Sequence, residues 1–166
     1  MNVFPVDWPG SGRLAVVSRP DADALAAEMA ELSRAGYDTL VSLLSGPEAV
    51  QLGLRHEREA ALAAGLRFEW HPVNDFGVPS GQCFRDAVGE LHAHYRSGGA
   101  IAAHCRGSIG RSPLLIASLL VLDGAPPREA WRLVATARGI PVPETDEQRQ
   151  WIERLATAPG GERDEA

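Results

Sequence analysis

Short apolar runs alternate with segments of helical spacing along most of the chain. Four runs of aliphatic or alternating residues, bounded by glycine, proline or polar residues, predict strands. These runs are residues 14–18, 38–44, 66–73 and 101–103. Apolar residues recur at helical spacing in the segments between and after them, which predicts helices. The predicted helices are 21–36, one or two short helices within 47–64, 82–97, 112–123, 126–138 and 144–157.

The order of these elements predicts an α/β fold, because strands that alternate with helices form a mainly parallel central sheet flanked by helices. Ligands of such sheets bind beyond the carboxyl ends of the strands. We therefore expect the site at that edge, where the loops 74–81 and 105–111 each follow a strand. The length of 166 residues fits one domain, predicted as residues 1–158 with a flexible tail over 159–166.

The charge balance limits the partners that the surface can attract. Sixteen cationic residues, all of them arginine, stand against 22 acidic residues and give a net charge of −6. Nucleic acids and anionic membranes require clustered positive charge. We therefore predict neither as a partner, and we expect any anion site to be local.

The localisation is predicted from the N-terminus and the cysteines. Residues 1–8 lack a basic segment followed by an apolar one, and no run approaches the roughly 18 apolar residues that a membrane span needs. The two cysteines, Cys83 and Cys105, are too few for a disulfide framework. A cytoplasmic protein with free thiols is expected, in which Cys83 is a small buried hydrophobic residue.

The segment 104–112 places a cysteine and an arginine six positions apart, between a predicted strand and a predicted helix. Backbone N–H groups at a helix N-terminus carry partial positive charge, so they stabilise a thiolate at Cys105 and bind phosphate oxygens. The planar guanidinium of Arg111 can bind two phosphate oxygens at once. The hydroxyl of Ser112 can hydrogen-bond the sulfur. These features predict a nucleophilic cysteine in an anion-binding loop.

The phosphate is expected to contact the loop between the nucleophile and the arginine, which consists of Arg106, Gly107, Ser108, Ile109 and Gly110. Gly107 and Gly110 are predicted to supply the unusual backbone angles that turn successive N–H groups toward one centre. His104, directly before the nucleophile, is expected to hydrogen-bond around the loop and to tune the thiolate.

A cysteine nucleophile also requires an acid for the leaving oxygen and a base for the water that follows. Asp75 is the candidate, because it follows a predicted strand in a loop whose glycine and proline residues are typical of a segment that closes over a ligand. It would protonate the leaving oxygen and then deprotonate the attacking water. Near Arg111, which favours the charged carboxylate, Asp75 would need partial burial in order to be protonated in the first step.

Three segments resemble the cysteine-dependent protein tyrosine phosphatases, in particular their small dual-specificity branch. Residues 105–112 match the signature Cys-x5-Arg-Ser/Thr, residues 71–79 look like the general-acid loop of the kinase-associated dual-specificity phosphatases, and residues 145–151 resemble the family's glutamine loop. The resemblance implies a tyrosine-phosphatase-like sandwich and a cysteinyl-phosphate intermediate, with Gln148 positioning the hydrolytic water. It also implies a phosphorylated protein or peptide as substrate, with phosphotyrosine first and phosphoserine or phosphothreonine as additional targets.

Two positions depart from the family pattern. Relatives commonly have glycine three positions after the cysteine, where this chain has Ser108 and carries its glycine at 107. This difference bears on the backbone path of the loop and on the width of the pocket. The glutamine loop often begins with glutamine, where this chain has Glu144. A charge there would slow turnover unless the side chain of Glu144 points away from the phosphate.

Other functions fit parts of the pattern. A phosphoinositide or another small phosphoester is an alternative substrate, although Arg106 is the chief basic residue near the loop, and so few cations disfavour a highly charged inositol ring. A rhodanese-type sulfurtransferase or an arsenate reductase also uses a cysteine in an anion-binding loop, the second with a resolving cysteine such as Cys83. A phosphate-binding module with weak or lost turnover is the alternative outside enzymes. No cofactor or metal ion is predicted, since His92 and His94 point in different directions from one helix.

Overall fold

A five-stranded sheet forms the centre of the computed structural model, which describes residues 1–157. The strands are β1 (Val3–Val6), β2 (Arg13–Val17), β3 (Thr39–Ser42), β4 (Arg67–Trp70) and β5 (Ala100–His104). Their order across the sheet is β1-β2-β5-β3-β4, and every neighbouring pair is parallel except β1 with β2. The predicted α/β fold with a mainly parallel sheet is confirmed. The tail predicted over 159–166 lies outside the described residues.

Helices flank this sheet. Within residues 1–157 they are α1 (Leu25–Arg34), α2 (Gly46–Gln51), α3 (Glu57–Ala63), α4 (Gln82–Arg96), α5 (Arg111–Leu122), α6 (Pro127–Arg138) and α7 (Asp146–Thr157). The segment 47–64 forms two helices, because Gly53, with φ +72°, lies between them in a left-handed conformation that no helix continues through. None of the helices in the described part of the chain is long and apolar enough to cross a membrane.

Strand β1 is absent from the sequence prediction. It pairs antiparallel with β2 at the edge of the sheet, where Phe4 lies opposite Val16. The run is only four residues long and contains Pro5, which cannot donate a ladder hydrogen bond. Proline weakens the strand pattern, yet an edge strand accommodates it because one of its sides forms no ladder.

The central strands are buried on both faces, which explains their continuous apolar runs. Alternate residues of β2 enter different hydrophobic clusters, Leu14 and Val16 in one and Ala15 and Val17 in the other. Helix α5 belongs to the first cluster and is buried at every residue from 111 to 120. The loop between β5 and α5 is therefore held by two buried elements.

Three tryptophans occupy apolar positions in the pattern and are predicted to lie in the core. Trp131 and Trp151 are buried, at 7% exposure each, but Trp70 is 52% exposed at the end of the edge strand β4. Its indole N–H donates to the carbonyl of Leu44 at 2.7 Å. The expectation for Cys83 was also wrong, since this cysteine is exposed on α4. Strand β4 and helix α4 each have one face exposed to solvent, and the spacing of apolar residues does not show which face this is.

Candidate active site

The loop between β5 and α5 surrounds the sulfur of Cys105. This residue is 2% exposed, and its Sγ accepts a hydrogen bond from the backbone N–H of Ser108 at 3.2 Å. The hydroxyl of Ser112 donates to the same sulfur at 3.4 Å. Both donors stabilise a negative charge on sulfur, because neutral donors favour the charged form of an acceptor. Arg106 is exposed on the rim of the loop, and Ile109 packs against the core.

The unusual backbone angle in this loop belongs to Ser108, which has φ +56°. The sequence prediction assigned such angles to Gly107 and Gly110, but both lie outside the left-handed region. The hydroxyl of Ser108 donates to the carbonyl of Val17 at 2.6 Å, and its own carbonyl accepts from Nε of Arg138 at 2.7 Å. These two bonds anchor a conformation that glycine adopts without strain and serine does not.

Gly110 leaves space for two neighbouring side chains. A Cβ at this position would collide with the carboxylate of Glu144 and would lie 2.8 Å from Nε2 of Gln148. A side chain at residue 110 would therefore require the ends of both of these side chains to move.

The guanidinium of Arg111 is buried, at 1% exposure, and nearly all of its donors are engaged. Nη1 donates to Glu48 Oε2 at 2.8 Å and to the carbonyl of Val73 at 3.0 Å. Nη2 donates to Glu48 Oε1 at 2.9 Å and to Asp75 Oδ1 at 2.8 Å. Within residues 1–157, the Nε of Arg111 has no hydrogen-bond partner. Burial alone would lower the pKa of Arg111, but the hydrogen bond to Glu48 and the charges of Cys105, Glu48 and Asp75 raise it above its ordinary value.

Glu48 holds the arginine and is absent from the sequence prediction. The hydrogen bonds from Arg111 lower the pKa of Glu48 to about 2, against a smaller opposing effect of burial. A capping box with Ser45 fixes its backbone, since the N–H and the hydroxyl of Ser45 donate to Glu48 Oε2 at 3.0 and 2.8 Å. The Ser-x-x-Glu spacing at 45–48 is the sequence signal that predicts this cap. It gives no sign of the contact with Arg111.

Replacing Glu48 with glutamine is expected to lower kcat/KM for p-nitrophenyl phosphate by about 10²-fold, because Arg111 loses the bidentate partner that orients it. The lowered pKa also means that Glu48 stabilises the fold above the ordinary carboxyl range and loses this effect as the pH falls toward about 2. The difference in Tm between wild type and Glu48→Gln should therefore narrow on acidification. Glu59→Gln, at an exposed site on α3, is the matched control. A variant with lower Tm but wild-type kcat/KM would remove Glu48 from the site.

Asp75 lies in the loop after β4, with its side chain 44% exposed, and pairs with Arg111. The structure therefore brings the predicted acid to the predicted arginine. The next residue, Phe76, has φ +59° and is 60% exposed. The carbonyl of Gly77 accepts a hydrogen bond from Nε2 of Gln148 at 3.0 Å, which ties this loop to α7.

Gln148 and Glu144 cover the loop from the side of α7. Gln148 is fully buried, and its Oε1 accepts the backbone N–H of Glu144 at 3.2 Å. The side chain of Glu144 does not point away, since its carboxylate lies over Gly110. Desolvation and the charge of Asp75 raise the pKa of Glu144, against a smaller opposing effect of Arg111.

Glu144→Gln is expected to increase kcat/KM for p-nitrophenyl phosphate roughly two- to fivefold at neutral pH, because it removes a negative charge beside the phosphate. The raised pKa means that Glu144 gains its proton at a higher pH than an ordinary glutamate. The difference in kcat/KM between Glu144→Gln and wild type should therefore become smaller as the pH is lowered. At acidic pH the two proteins should have similar kcat/KM. Glu147→Gln, exposed on α7, serves as control. An equal gain at all pH values would contradict a charge effect.

His104 is buried at the end of β5, and its Nδ1 lies 3.3 Å from the carbonyl oxygen of Cys105. The buried carboxylate of Glu57 contacts its other ring nitrogen. Glu57 is also missing from the sequence prediction, because it stands on a different helix in a segment that carries no recognisable motif.

Comparisons with known proteins identify the family of this chain. A family model described as "Polymorphic toxin system, DSP-PTPase phosphatase" matches residues 16–125, which include Asp75, Cys105 and Arg111. The chain belongs to this family. It is therefore a phosphatase of the cysteine-dependent tyrosine and dual-specificity class, as the sequence predicts.

Solved structures of phosphatases share the fold of this DSP-PTPase. A kinase-associated phosphatase, crystallised with its catalytic-site cysteine replaced by serine, superposes with a TM-score of 0.81 at 18% identity and covers 93% of each chain. Tk-PTP in its active form superposes with a TM-score of 0.71 at 25% identity, and the match covers 90% of this chain and 98% of Tk-PTP. PTPMT1 in complex with PI(5)P superposes with a TM-score of 0.70 at 15% identity, and the match covers 86% of this chain and 89% of PTPMT1. A search of curated proteins gives no match.

Proposed function

We propose that this DSP-PTPase hydrolyses phosphotyrosine, and also phosphoserine or phosphothreonine, in proteins through a cysteinyl-phosphate intermediate. One observation carries the mechanism: Sγ of Cys105 accepts two hydrogen bonds at the floor of a loop that ends in Arg111, whose guanidinium pairs with Asp75. These contacts support a site in which Cys105 is the nucleophile, Arg111 binds the phosphate and Asp75 is the acid.

In the first step the thiolate of Cys105 attacks phosphorus, so that the S–P bond forms and the bond to the ester oxygen breaks. Asp75 gives its proton to the leaving oxygen. The loop N–H groups and Arg111 stabilise the charge on the three equatorial oxygens, where fixed donors are most effective. Asp75 leaves this step as a carboxylate.

In the second step water attacks the phosphorus of the cysteinyl-phosphate. Asp75 removes a proton from this water, and Gln148, which contacts the acid loop through Gly77, positions it. The S–P bond breaks, inorganic phosphate forms, and the electron pair returns to sulfur. The hydroxyl of Ser112 stabilises the departing thiolate, since it already donates to this atom.

A protein substrate is favoured by the surroundings of the loop. The exposed ring of Phe76 stands beside Asp75 and offers an apolar surface to the ring of a phosphotyrosine. The loop itself contributes one exposed cation, Arg106, and the chain carries a net charge of −6. Both features disfavour a polyanionic inositol headgroup, although the fold is shared with a protein that was crystallised with PI(5)P.

The deciding experiment compares rates over a panel of substrates. We expect release of phosphate from p-nitrophenyl phosphate and from phosphotyrosyl peptides, slower release from phosphoseryl and phosphothreonyl peptides, and little from PI(5)P vesicles. Thiosulfate and arsenate serve as tests for sulfurtransferase and reductase activity. A preference for PI(5)P over every peptide would replace the proposed substrate class, and binding of phosphopeptide without turnover would support a binding module instead.

A further inference from the structure

The outer edge of strand β4 forms no ladder within residues 1–157. This strand lies at the end of the sheet and pairs only with β3 there. The N–H groups of Arg67 and His71 donate to backbone carbonyls on the side of β3. Backbone groups alternate in direction along a strand, so those of Phe68 and Trp70 point to the outer edge. Such an edge can accept a further extended segment through main-chain hydrogen bonds.

A cavity of about 500 Å³ lies beside this edge, between β4 and the helices α2 and α3. Phe68 and Trp70 line it from the strand, and Val50 and Leu54 line it from the opposite side. Two of these apolar side chains are about half exposed, since Trp70 is 52% and Val50 47% exposed. Adjoining apolar side chains around a concave surface are typical of a binding site.

Arginines outnumber acidic residues on the exposed rim of this cavity. Arg55 and Arg58 line it and are exposed, and in the part of the chain that the structure describes neither forms an ion pair with a carboxylate. Glu59 is exposed there as well, whereas the carboxylate of Glu57 is buried against His104. In a chain of net charge −6, this local excess of positive charge favours an acidic partner.

The cavity lies close to the candidate active site. Val50, which lines it, is two residues from Glu48, which pairs with Arg111. Trp70 ends β4, and the Cys105 loop follows β5 at the same edge of the sheet. The ends of these two strands are two strand spacings apart, about 10 Å. An extended chain covers that distance in about three residues, so one short segment can reach both places.

We propose that the edge of β4 and the adjoining cavity bind an extended segment of the protein substrate, next to its phosphorylated residue. This β4 docking site pairs with the backbone of the segment, holds an aromatic side chain against Trp70 and places an acidic side chain beside Arg55 and Arg58. The inference rests on the proposed function, in which the substrate is a phosphoprotein. It defines the substrate class further, as phosphotyrosine about three to five residues from an acidic and aromatic pair.

The first test uses pairs of phosphotyrosyl peptides of equal length. One peptide carries aspartate and phenylalanine about three, four or five residues from the phosphotyrosine, on either side, and the other carries serine and alanine there. At one of these spacings the aspartate–phenylalanine peptide should have a KM lower by roughly five- to twentyfold, because the phenylalanine is removed from water in the cavity. The kcat should be similar, because these contacts are equal in the ground and transition states. Equal KM at every spacing would overturn the proposal.

Variants of the rim locate this effect. Val50→Gln and Arg58→Glu should each reduce the KM difference between the two peptides to about a third or less, and both replacements suit their positions in α2 and α3. Leu62→Gln, at an exposed apolar position of α3 that does not line the cavity, and Arg96→Glu, at an exposed position of α4, are the matched controls. Both controls should keep the full difference. A difference that survives both rim variants would contradict the β4 docking site.

Amide hydrogen exchange tests the pairing with β4 directly. In Cys105→Ser saturated with the aspartate–phenylalanine peptide, the N–H groups of Phe68 and Trp70 should exchange at least about tenfold more slowly, because ladder hydrogen bonds protect them. Unchanged exchange at both positions would overturn the pairing. This measurement needs no turnover. If neither peptide is hydrolysed by wild type, the proposed function fails, and exchange at β4 still decides whether the segment binds there.

Discussion

Cys105→Ser is expected to abolish hydrolysis of p-nitrophenyl phosphate, with kcat lower by at least about 10⁴-fold, as is usual when a nucleophile is removed from a covalent mechanism. Serine keeps the size of the side chain but is not ionised at neutral pH. Arg111 and the loop N–H groups remain, so the variant should still bind a phosphotyrosyl peptide. Steady-state kinetics and calorimetric titration with the peptide measure the two quantities.

The matched control is Cys83→Ser, which changes the exposed cysteine on α4. It should retain wild-type kcat. Rapid quenching of wild type with substrate should also trap a phosphorylated protein that is absent from Cys105→Ser. If the serine variant kept its activity, the covalent pathway would be wrong, whereas loss of peptide binding together with activity would indicate a collapsed loop.

Asp75→Asn is expected to lower kcat by something like 10²–10⁴-fold, the usual contribution of a general acid. The loss should be larger for phenyl phosphate than for p-nitrophenyl phosphate, because p-nitrophenolate leaves with less need of a proton. Binding of inorganic phosphate should be retained or strengthened, because the asparagine no longer competes for Arg111 with a negative charge.

The dependence on the leaving group separates an acid from a residue that only supports the loop. Asp23→Asn, at an exposed position before α1, controls for the change of charge. A rate that is unchanged, or that falls equally for both esters, would remove Asp75 from the protonation step.

The loop after Cys105 could be recognised as a candidate site because its residues lie close together in the sequence. Cys105, Arg111 and Ser112 lie within one strand-to-helix connection, and the fold needs only to bury the flanking elements to bring them together. Asp75 was also predictable, since it follows the carboxyl end of a strand in the same sheet. The two loops meet because parallel strands end at one edge.

The residues that the sequence did not reveal act across long separations. Glu48 reaches Arg111 over 63 positions, and the segment between them contains strand β4 and helix α4. Glu57 on α3 contacts His104 on β5, three elements further along the chain. Local spacing predicts a helix cap for Glu48 and an ordinary helical position for Glu57. Their contacts with Arg111 and His104 arise only from tertiary packing.

The prediction for the backbone of the loop 105–111 failed for a different reason. Glycine was expected to supply the left-handed angle, but Ser108 supplies it, with its side chain bonded to Val17. A propensity can be overridden when two well-placed hydrogen bonds offset a strain of order 1–3 kcal/mol. The sequence does not show these bonds, because their partners lie on β2 and α6.

The unpartnered Nε of Arg111 has a consequence for the order of events. An oxyanion that takes the edge of the guanidinium formed by Nε–H and Nη2–H must displace Asp75 from Nη2. Binding of the oxyanion and release of Asp75 from Arg111 are then linked equilibria, and each favours the other to the same degree. Binding of an oxyanion thus releases the carboxylate of Asp75 from Arg111, and departure of the oxyanion restores the ion pair.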